Sequence, residues 1–185
     1  MALQQIDFTD LHLNPMTLFA NEWAALVAGN EQRGYNAMTI GWGHLGAIWG
    51  TGETQVKTYP TVCVYVRPQR YTKQFMDRET SFTVDFLGAE RRRELAYLGA
   101  KSGRDENKVA KLGLTPVFDE ECVTTYLAES RLVLVCRKLY EAPLVEKGFT
   151  NKATLERNYP LYDFHTMYIG EIVKVLWQAP DPEME

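Results

Sequence analysis

The residues of this sequence that are best suited to binding chemistry are two cationic side chains, Arg104 and Lys108, which lie close to a serine and a glycine. Ser102 and Asp105 have the spacing of a helix-capping box, which predicts a helix with free backbone N–H groups at its start. Gly103 would leave room for an anion there, and Arg104 and Lys108, four positions apart, could face it together. The alternative is that Ser102 only caps the helix while both cations are solvated.

Two further arginines stand where a strand is predicted to end. Arg67 is the last residue before Pro68, and Arg70 follows the corner that this proline imposes. Guanidinium groups that converge at a strand end suit a phosphate or an electron-rich carbonyl edge. A surface pair tied to nearby acids is the competing interpretation.

His165 could donate a hydrogen bond or a proton to a ligand. It enters a predicted strand in which Gly170 permits a bulge or a close approach. A lone histidine can equally be a satisfied core or interface residue. The three histidines of the chain show neither HxH nor HExxH spacing, so no metal site is predicted.

The segment from Asn36 to Gly43 is a strand-like run that ends in two glycines on either side of a tryptophan. Glycine in an extended run lets a flat group approach the backbone, and Asn36 and Thr39 could orient an aromatic ligand placed there. The alternative is a barrel corner at which glycine relieves a bend and tryptophan fills the core.

The three cysteines contain no CxxC pair, which argues against a zinc site or a full disulfide set. We expect Cys63 and Cys136 to be buried free thiols, as in a reducing compartment. No GxGxxG, P-loop or GxSxG motif occurs in the sequence, so redox chemistry would require a bound cofactor.

These side chains must be positioned by strands more than by helices. Residues 81–87 alternate between apolar and polar, which predicts a half-buried strand. An irregular lead-in is expected over 1–15 and a frayed tail over 179–185. Strands are predicted over 23–29, 35–42, 61–66, 81–87, 123–127, 130–140 and 165–176, and helices over 71–78, 90–100 and 105–112. Because strands and helices do not alternate regularly, a mainly β antiparallel barrel with peripheral helices is predicted.

The chain has 185 residues, enough for one domain, predicted over 1–185 with its core at about 14–177. Its 20 Lys and Arg against 24 Asp and Glu give a net charge of −4, which disfavours nucleic-acid binding. No apolar run is long enough for a membrane span and the first ten residues do not form a signal peptide, so we expect a cytoplasmic protein.

Five segments taken in order resemble the flavin reductase-like family, and its flavoredoxin branch in particular. The resemblance runs from about residue 14 to 176. The matching segments are NAMTIGWG with HLGAIWG (36–50), VRPQRYT (66–72), SGRDENK (102–108), RLVLVCRKLY (131–140) and FHTMYIGEI (164–172). The resemblance implies an FMN-binding split β-barrel of Greek-key-like antiparallel topology that works as a homodimer.

The same resemblance implies a distribution of roles along the site. The flavin ring would lie along the 36–43 strand, with backbone amides exposed by Gly41. His165 would approach the ring or its open face as the catalytic group, from the same subunit or from the other one. Gly41 stands where many relatives are expected to have serine, so a hydroxyl contact is absent here. The ring would contact Asn36, Met38, Thr39, Gly41 and Trp42, and the phosphate would be held by some of Arg67, Arg70, Ser102, Gly103, Arg104 and Lys108.

The implied function is an oxidoreductase that passes electrons from NADH or NADPH through FMN to a small molecule or a protein. The alternative is an FMN electron carrier that a protein partner reduces. A third possibility, an OB-like oligonucleotide binder, fits the acidic balance poorly. An apolar patch on a lone barrel would be covered in a homodimer, and residues 51–59 could border the open face of the flavin.

Overall fold

A computed structural model describes residues 3–50 and 58–178. Within those ranges the chain forms ten strands and five α-helices. The strands are β1 (Gln4–Ile6), β2 (Ala24–Asn30), β3 (Gly34–Ile40), β4 (Gly43–Ile48), β5 (Tyr59–Val66), β6 (Ser81–Phe86), β7 (Pro116–Asp119), β8 (Thr124–Leu127), β9 (Leu132–Pro143) and β10 (Thr166–Trp177). The helices are α1 (Pro15–Thr17), α2 (Thr72–Arg78), α3 (Arg92–Ala100), α4 (Lys108–Lys111) and α5 (Lys152–Asn158).

Several shorter helical turns join these elements. One π-helical turn continues α1, and three 3₁₀ turns lie in the connections. They are the π turn Leu18–Glu22 and the 3₁₀ turns Phe8–Asp10, Ala89–Arg91 and Glu146–Gly148. No helix in the described ranges is long and apolar enough to cross a membrane.

The main sheet has the order β3-β2-β6-β9-β10-β5-β4, and all of its ladders are antiparallel. β1 adds to the far half of β10, beyond the part that pairs with β5. β3 and β4 stand at opposite ends of this order, yet only Gly41 and Trp42 connect them. Because the three Cα–Cα steps from Ile40 to Gly43 span at most about 11 Å, the sheet must curl until its ends meet without a ladder between them. The predicted split antiparallel barrel with peripheral helices is confirmed.

The strands predicted over 23–29 and 35–42 are present as β2 and β3 and pair in an antiparallel hairpin, with Ala28 opposite Asn36. Its turn depends on Gly29 at φ +107°, where a Cβ atom would lie 2.2 Å from the Gly34 carbonyl oxygen. The predicted strand bounds differ at the barrel corner. Trp23, at φ 64°, lies before β2 and not inside it, and β3 ends at Ile40, two residues before the predicted end.

Two apolar layers enclose the sheet on its two sides. Leu26, Val64 and Phe82 belong to the cluster inside the barrel. Val27 and Leu98 belong to the cluster between the outer face and helices α3 and α4. Burial of these side chains stabilises the curled sheet by about 1.5–3 kcal/mol for each large apolar residue.

The prediction that residues 81–87 form a half-buried strand was wrong, because β6 is buried on both faces. Thr83 and Asp85 are fully buried beneath the small β7–β8 sheet. The Thr83 hydroxyl donates to the Thr125 carbonyl at 2.9 Å, and the Leu127 amide donates to Asp85 Oδ2 at 2.7 Å. The polar alternation therefore reflects partners supplied by β8 and not solvent.

The sequence did not predict β1, β4, β7 or α5. β1 lies inside the expected irregular lead-in, and the glycine run is itself the strand β4. α5 begins where Asn151 accepts a hydrogen bond from the Thr154 amide at 3.1 Å. The predictions for the segment 51–57 and for the tail 179–185 lie outside the residues that the structure describes.

Candidate functional site

Two adjoining cavities at the open side of the barrel gather most of the residues singled out from the sequence. We call the first the cationic cavity, of about 110 Å³, lined by Asn36, Met38, Gln69, Arg70, Tyr71, Thr72, Leu98, Ala100, Lys101, Ser102, Gly103 and Lys108. The second is the central cavity, of about 170 Å³, lined by Met38, Thr39, Ile40, Gly41, Trp42, Tyr65, Arg67, Arg70 and His165. Both cavities share Met38 and Arg70. Of the twelve candidate residues, Arg104 alone lines neither.

The cationic cavity holds positive charge without an acid opposite it. Arg70, Lys101 and Lys108 line it, and its described lining contains no Asp or Glu. Lys108 is 3% exposed, and its Nζ donates to the Leu98 carbonyl at 2.7 Å. Burial, reinforced by the charge of Arg70, lowers the pKa of Lys108 to about 8. An anion placed here would relieve this repulsion.

The expected helix start at Ser102 was wrong. α4 begins at Lys108 and is capped by Asn107, whose Oδ1 accepts from the Ala110 amide at 3.0 Å. The Ser102 hydroxyl instead accepts from the Arg104 amide at 3.2 Å, within a turn. A four-residue helix provides no helix-dipole site, so any anion would depend on the side chains and the turn.

Arg104 and Lys108 do not act as neighbours on one helix face. Arg104 donates through Nη1 to the Gln69 carbonyl at 3.3 Å, and its guanidinium lies 4.8 Å from the Tyr71 ring centroid. Tyr71 lines the cavity, so Arg104 supports the wall and does not enter the space.

Gly103 permits a close approach, although the approaching group belongs to the protein. A Cβ atom at this position would lie 2.1 Å from Asn36 Oδ1. Asn36 is itself buried, and its Nδ2 donates to the Thr72 hydroxyl at 2.7 Å. The turn at Ser102 therefore closes onto β3 and α2 and shapes the cavity.

Arg67 and Arg70 both line the central cavity but are held differently. Arg67 forms an ion pair with Asp163 and donates through Nη2 to the Asn158 carbonyl at 2.8 Å. Arg70 donates through Nη1 to the Gly99 carbonyl at 2.7 Å. Arg67 therefore fits the competing interpretation from the sequence, in which an arginine is paired with a nearby acid. Among the described residues no acid forms an ion pair with Arg70, which lines both cavities.

His165 is buried and packs against Trp42, with ring centroids 4.8 Å apart. Burial, followed by the charge of Arg67, lowers the pKa of His165 to about 4, so the imidazole is neutral at pH 7. The residue lies just before β10 and faces the central cavity. It can donate or accept a hydrogen bond, but it carries no positive charge there.

The glycine run lies against the protein's own aromatic rings on one side. A Cβ at Gly41 would be 3.0 Å from Trp23 Cδ1, and one at Gly43 would be 2.4 Å from Phe19 Cε1. These glycines therefore serve the barrel corner, as in the alternative interpretation, whereas Trp42 is 47% exposed and does not fill the core. The main chain of Gly41 and the side chain of Thr39 still line the central cavity, and the Thr39 hydroxyl donates to the Leu95 carbonyl.

An open apolar groove of about 600 Å³ continues from the central cavity and shares Gly41, Trp42 and Tyr65 with it. Aromatic side chains dominate its wall, and its described lining contains no Lys, Arg, Asp or Glu. The groove is lined by Pro15, Met16, Phe19, Ala20, Gly41, Trp42, Gly43, His44, Tyr65, Leu144, Phe149, Thr154, Asn158 and Tyr159. It suits an uncharged aromatic group.

Three lining residues were not predicted from the sequence: Tyr65, Lys101 and Tyr159. Tyr65 could have been found, because Val64 and Val66 are buried in β5 and period-two alternation turns Tyr65 to the other face. Tyr159 follows α5, which was not predicted, and no local pattern pointed to it.

The family model described as "Flavin reductase like domain" matches residues 17–184 of the chain. No curated protein matches it.

Fifty-four chains of solved structures match this one, among them the following three. The FMN-binding domain of a flavin reductases-like enzyme from Shewanella baltica has a TM-score of 0.64 at 15% identity, over 95% of this chain and 76% of that one. A flavoredoxin of Desulfovibrio vulgaris gives 0.61 at 20%, over 97% and 78%. A flavin reductase with a split barrel domain from Shewanella frigidimarina gives 0.59 at 17%, over 96% and 79%.

Proposed function

Because the chain belongs to the flavin reductase-like domain family, we propose that it is an FMN-dependent oxidoreductase. In this proposal it takes electrons from NADH or NADPH and passes them to a small-molecule or protein acceptor. The FMN-binding domain and the flavoredoxin that share its fold support this choice of cofactor.

The observation that carries the proposal is the cationic cavity adjoining the central cavity. FMN combines a phosphate of nearly two negative charges with a flat ring, and the two cavities offer matching surroundings. Arg70 and Lys108 face a space whose described lining contains no carboxylate. Burial and the charge of Arg70 lower the pKa of Lys108, and the charge of Glu106 offsets them only in part, so an anion in this cavity would stabilise the charged form of Lys108. The residues present therefore fit the group.

In this proposal the phosphate is held by Arg70, Lys108, the Ser102 hydroxyl and the turn at Gly103. Arg67 and the main chain from Thr39 to Trp42 line the part of the site that takes the ring. Bound FMN supplies reversible hydride and electron transfer. Cations and N–H donors near the ring favour its reduced, more negative form and so raise the reduction potential.

We propose that the apolar groove binds the substrate that exchanges electrons with the flavin. A substrate bound on its aromatic wall would exclude water from that side of the central cavity, and the shared residues Trp42 and Tyr65 would place it next to that cavity. Neutral His165 lies at the same junction and can offer a hydrogen bond without attracting an anion.

We propose that the working unit is a homodimer that covers an exposed apolar patch, formed by Ile48, Trp49 and Tyr140. These side chains are 38%, 49% and 44% exposed, and the rings of Trp49 and Tyr140 pack at a centroid distance of 6.2 Å. β4 is an end strand of the sheet, and a second copy placed over it would bury this patch.

The same groove gives the second candidate function a specific argument. A nicotinamide dinucleotide carries a charged pyrophosphate, and no cationic side chain lines the described groove. This favours an FMN electron carrier that receives electrons from a protein. The three free thiols Cys63, Cys122 and Cys136 fit a reducing compartment, so either reaction is proposed to occur in the cytoplasm.

Anaerobic reduction of the FMN-loaded protein separates these functions. Rapid bleaching of the flavin absorption band at about 450 nm by NADH or NADPH supports the oxidoreductase. Bleaching only by a reduced ferredoxin or flavoprotein supports the carrier. A flavin that stays oxidised with all of these donors contradicts both.

A further inference from the structure

A tyrosine outside the predicted site contacts its central histidine. The hydroxyl of Tyr159 lies 2.8 Å from Nδ1 of His165, and the two rings meet edge to face with centroids 5.6 Å apart. Tyr159 is 3% exposed and follows α5, where its amide donates to the Leu155 carbonyl at 2.8 Å. The contact is thus buried and fixed from the backbone.

The direction of this hydrogen bond follows from where the tyrosine proton can go. Burial raises the pKa of Tyr159 above its ordinary value, so the hydroxyl keeps its proton. Within residues 3–50 and 58–178, Nδ1 of His165 is the side-chain partner recorded for that hydroxyl, and the nearby backbone N–H of His165 can only donate to the hydroxyl oxygen. A buried O–H without an acceptor costs about 1–3 kcal/mol. The hydroxyl therefore donates, and Nδ1 carries the lone pair.

A neutral imidazole with a free lone pair on Nδ1 bears its proton on Nε2. In the described part of the chain, Nε2 has no hydrogen-bond partner and is not among the buried unsatisfied atoms. His165 lines the central cavity. We propose that Tyr159 is a positioning residue that holds His165 as the neutral tautomer whose Nε2–H donates to an acceptor atom of the ligand in that cavity.

The charges around the imidazole support the neutral form. Arg67 and Arg70 disfavour its protonation, and Asp163, which favours it, is already paired with Arg67. The guanidinium of Arg67 also lies 5.3 Å from the Tyr159 ring centroid. Neutral His165 therefore adds an uncharged N–H donor to a cavity whose lining already includes the guanidinium groups of Arg67 and Arg70.

The inference rests on the proposed function only for the identity of the ligand. If FMN occupies the central cavity, a fixed N–H donor would stabilise negative charge that develops on the reduced ring or on a bound acceptor. The tautomer itself is a property of the protein alone and can be measured without flavin.

The test is a two-bond ¹H–¹⁵N correlation spectrum of histidine-labelled protein, recorded with and without FMN. In the flavin-free wild type, we expect His165 to show a pyridine-type Nδ1 and a pyrrole-type Nε2. Tyr159→Phe should move both nitrogens toward averaged values. It should also raise the pKa of His165, because the donor to the neutral ring is lost. Tyr162→Phe, which removes an exposed neighbouring hydroxyl, is the matched control and should change neither.

A pyrrole-type Nδ1 in the wild type would overturn the inference even if Tyr159→Phe does not fold. Identical ring-nitrogen shifts and an identical pKa in a folded Tyr159→Phe would also overturn it. In the FMN-loaded protein the midpoint potential should fall in Tyr159→Phe and stay unchanged in Tyr162→Phe. A protein that does not bind FMN contradicts the proposed function and leaves the tautomer measurement intact.

Discussion

Asn36 Oδ1 occupies the space that a Cβ atom on Gly103 would need, since the two would be 2.1 Å apart. Asn36 is buried in β3 and bound to Thr72, so it cannot swing away without losing a hydrogen bond. The turn that closes the cationic cavity is therefore matched to one strand residue 67 positions earlier.

Gly103→Ala is expected to weaken FMN binding by about tenfold, since overpacking costs about 1–3 kcal/mol and 1.4 kcal/mol is a factor of ten. Quenching of FMN fluorescence on titration with protein measures this. Gly46→Ala is the matched control, because a Cβ at Gly46 meets no atom within 4 Å. Equal affinity in both variants would show that the turn does not shape the site.

Lys108 gives the proposed phosphate site a pH dependence. Its pKa of about 8 means that it is charged below pH 8 and loses its proton above that value. FMN affinity should therefore begin to fall between pH 7 and 8 and should fall further at higher pH. Lys108→Met should bind FMN about tenfold more weakly at pH 7 and lose this dependence, since a charged hydrogen bond contributes about 1.5–3 kcal/mol. If Lys108→Met kept the pH dependence of FMN affinity that the wild type shows, Lys108 would not be part of the phosphate site.

Asp85 should make the protein less stable as the pH rises. Burial raises its pKa to about 7, against about 3.9 in an unfolded chain. Between pH 4 and 7 the folded state binds more protons, so the free energy of unfolding falls with rising pH through this window. The effect is at most about 4 kcal/mol, and it is constant above pH 7.

Asp85→Asn should remove this fall, so the stability difference from wild type should shift in favour of the variant between pH 4 and 8. Urea unfolding at pH 4, 6 and 8 measures it. Glu146→Gln changes an exposed carboxylate and serves as the control. A difference between Asp85→Asn and wild type that is the same at all three pH values would contradict the raised pKa.

Tyr140→Glu should dissociate the proposed homodimer, because it places a charge in the apolar patch beside Trp49. Sedimentation should give a mass near twice 21.2 kDa for the wild type and near 21.2 kDa for the variant. Leu161→Glu alters a side chain that is 82% exposed and outside the patch, and it should remain dimeric. A wild type that is monomeric at micromolar concentration would refute the dimer.

The family resemblance stated from the sequence is confirmed by the family model over residues 17–184, and the split barrel is confirmed by the sheet. The strands that were predicted carry their signal locally. In β5, for example, Val62, Val64 and Val66 face the core at a period of two. The roles of the twelve candidate residues stay predictions, although the fold brings eleven of them to two adjoining cavities.

The features that the sequence did not reveal depend on partners far along the chain. β1 is a strand only because Gln4–Ile6 pairs with Val175–Trp177. Asp85 looked solvent-facing because β8, which buries it, lies some 40 residues later. The ion pair of Arg67 joins residues 96 positions apart. Local patterns contain no information about such contacts, and they decide which polar groups are free to bind a ligand.

The most direct test of the account compares FMN with riboflavin, which has the same ring but no phosphate, by calorimetric titration of the flavin-free protein at pH 7. Two charged contacts from Arg70 and Lys108 predict that FMN binds about 100-fold more tightly, at roughly 1.5 kcal/mol for each contact. Equal affinities for the two, or binding of neither, would contradict the claim that the cationic cavity holds the phosphate of a bound flavin.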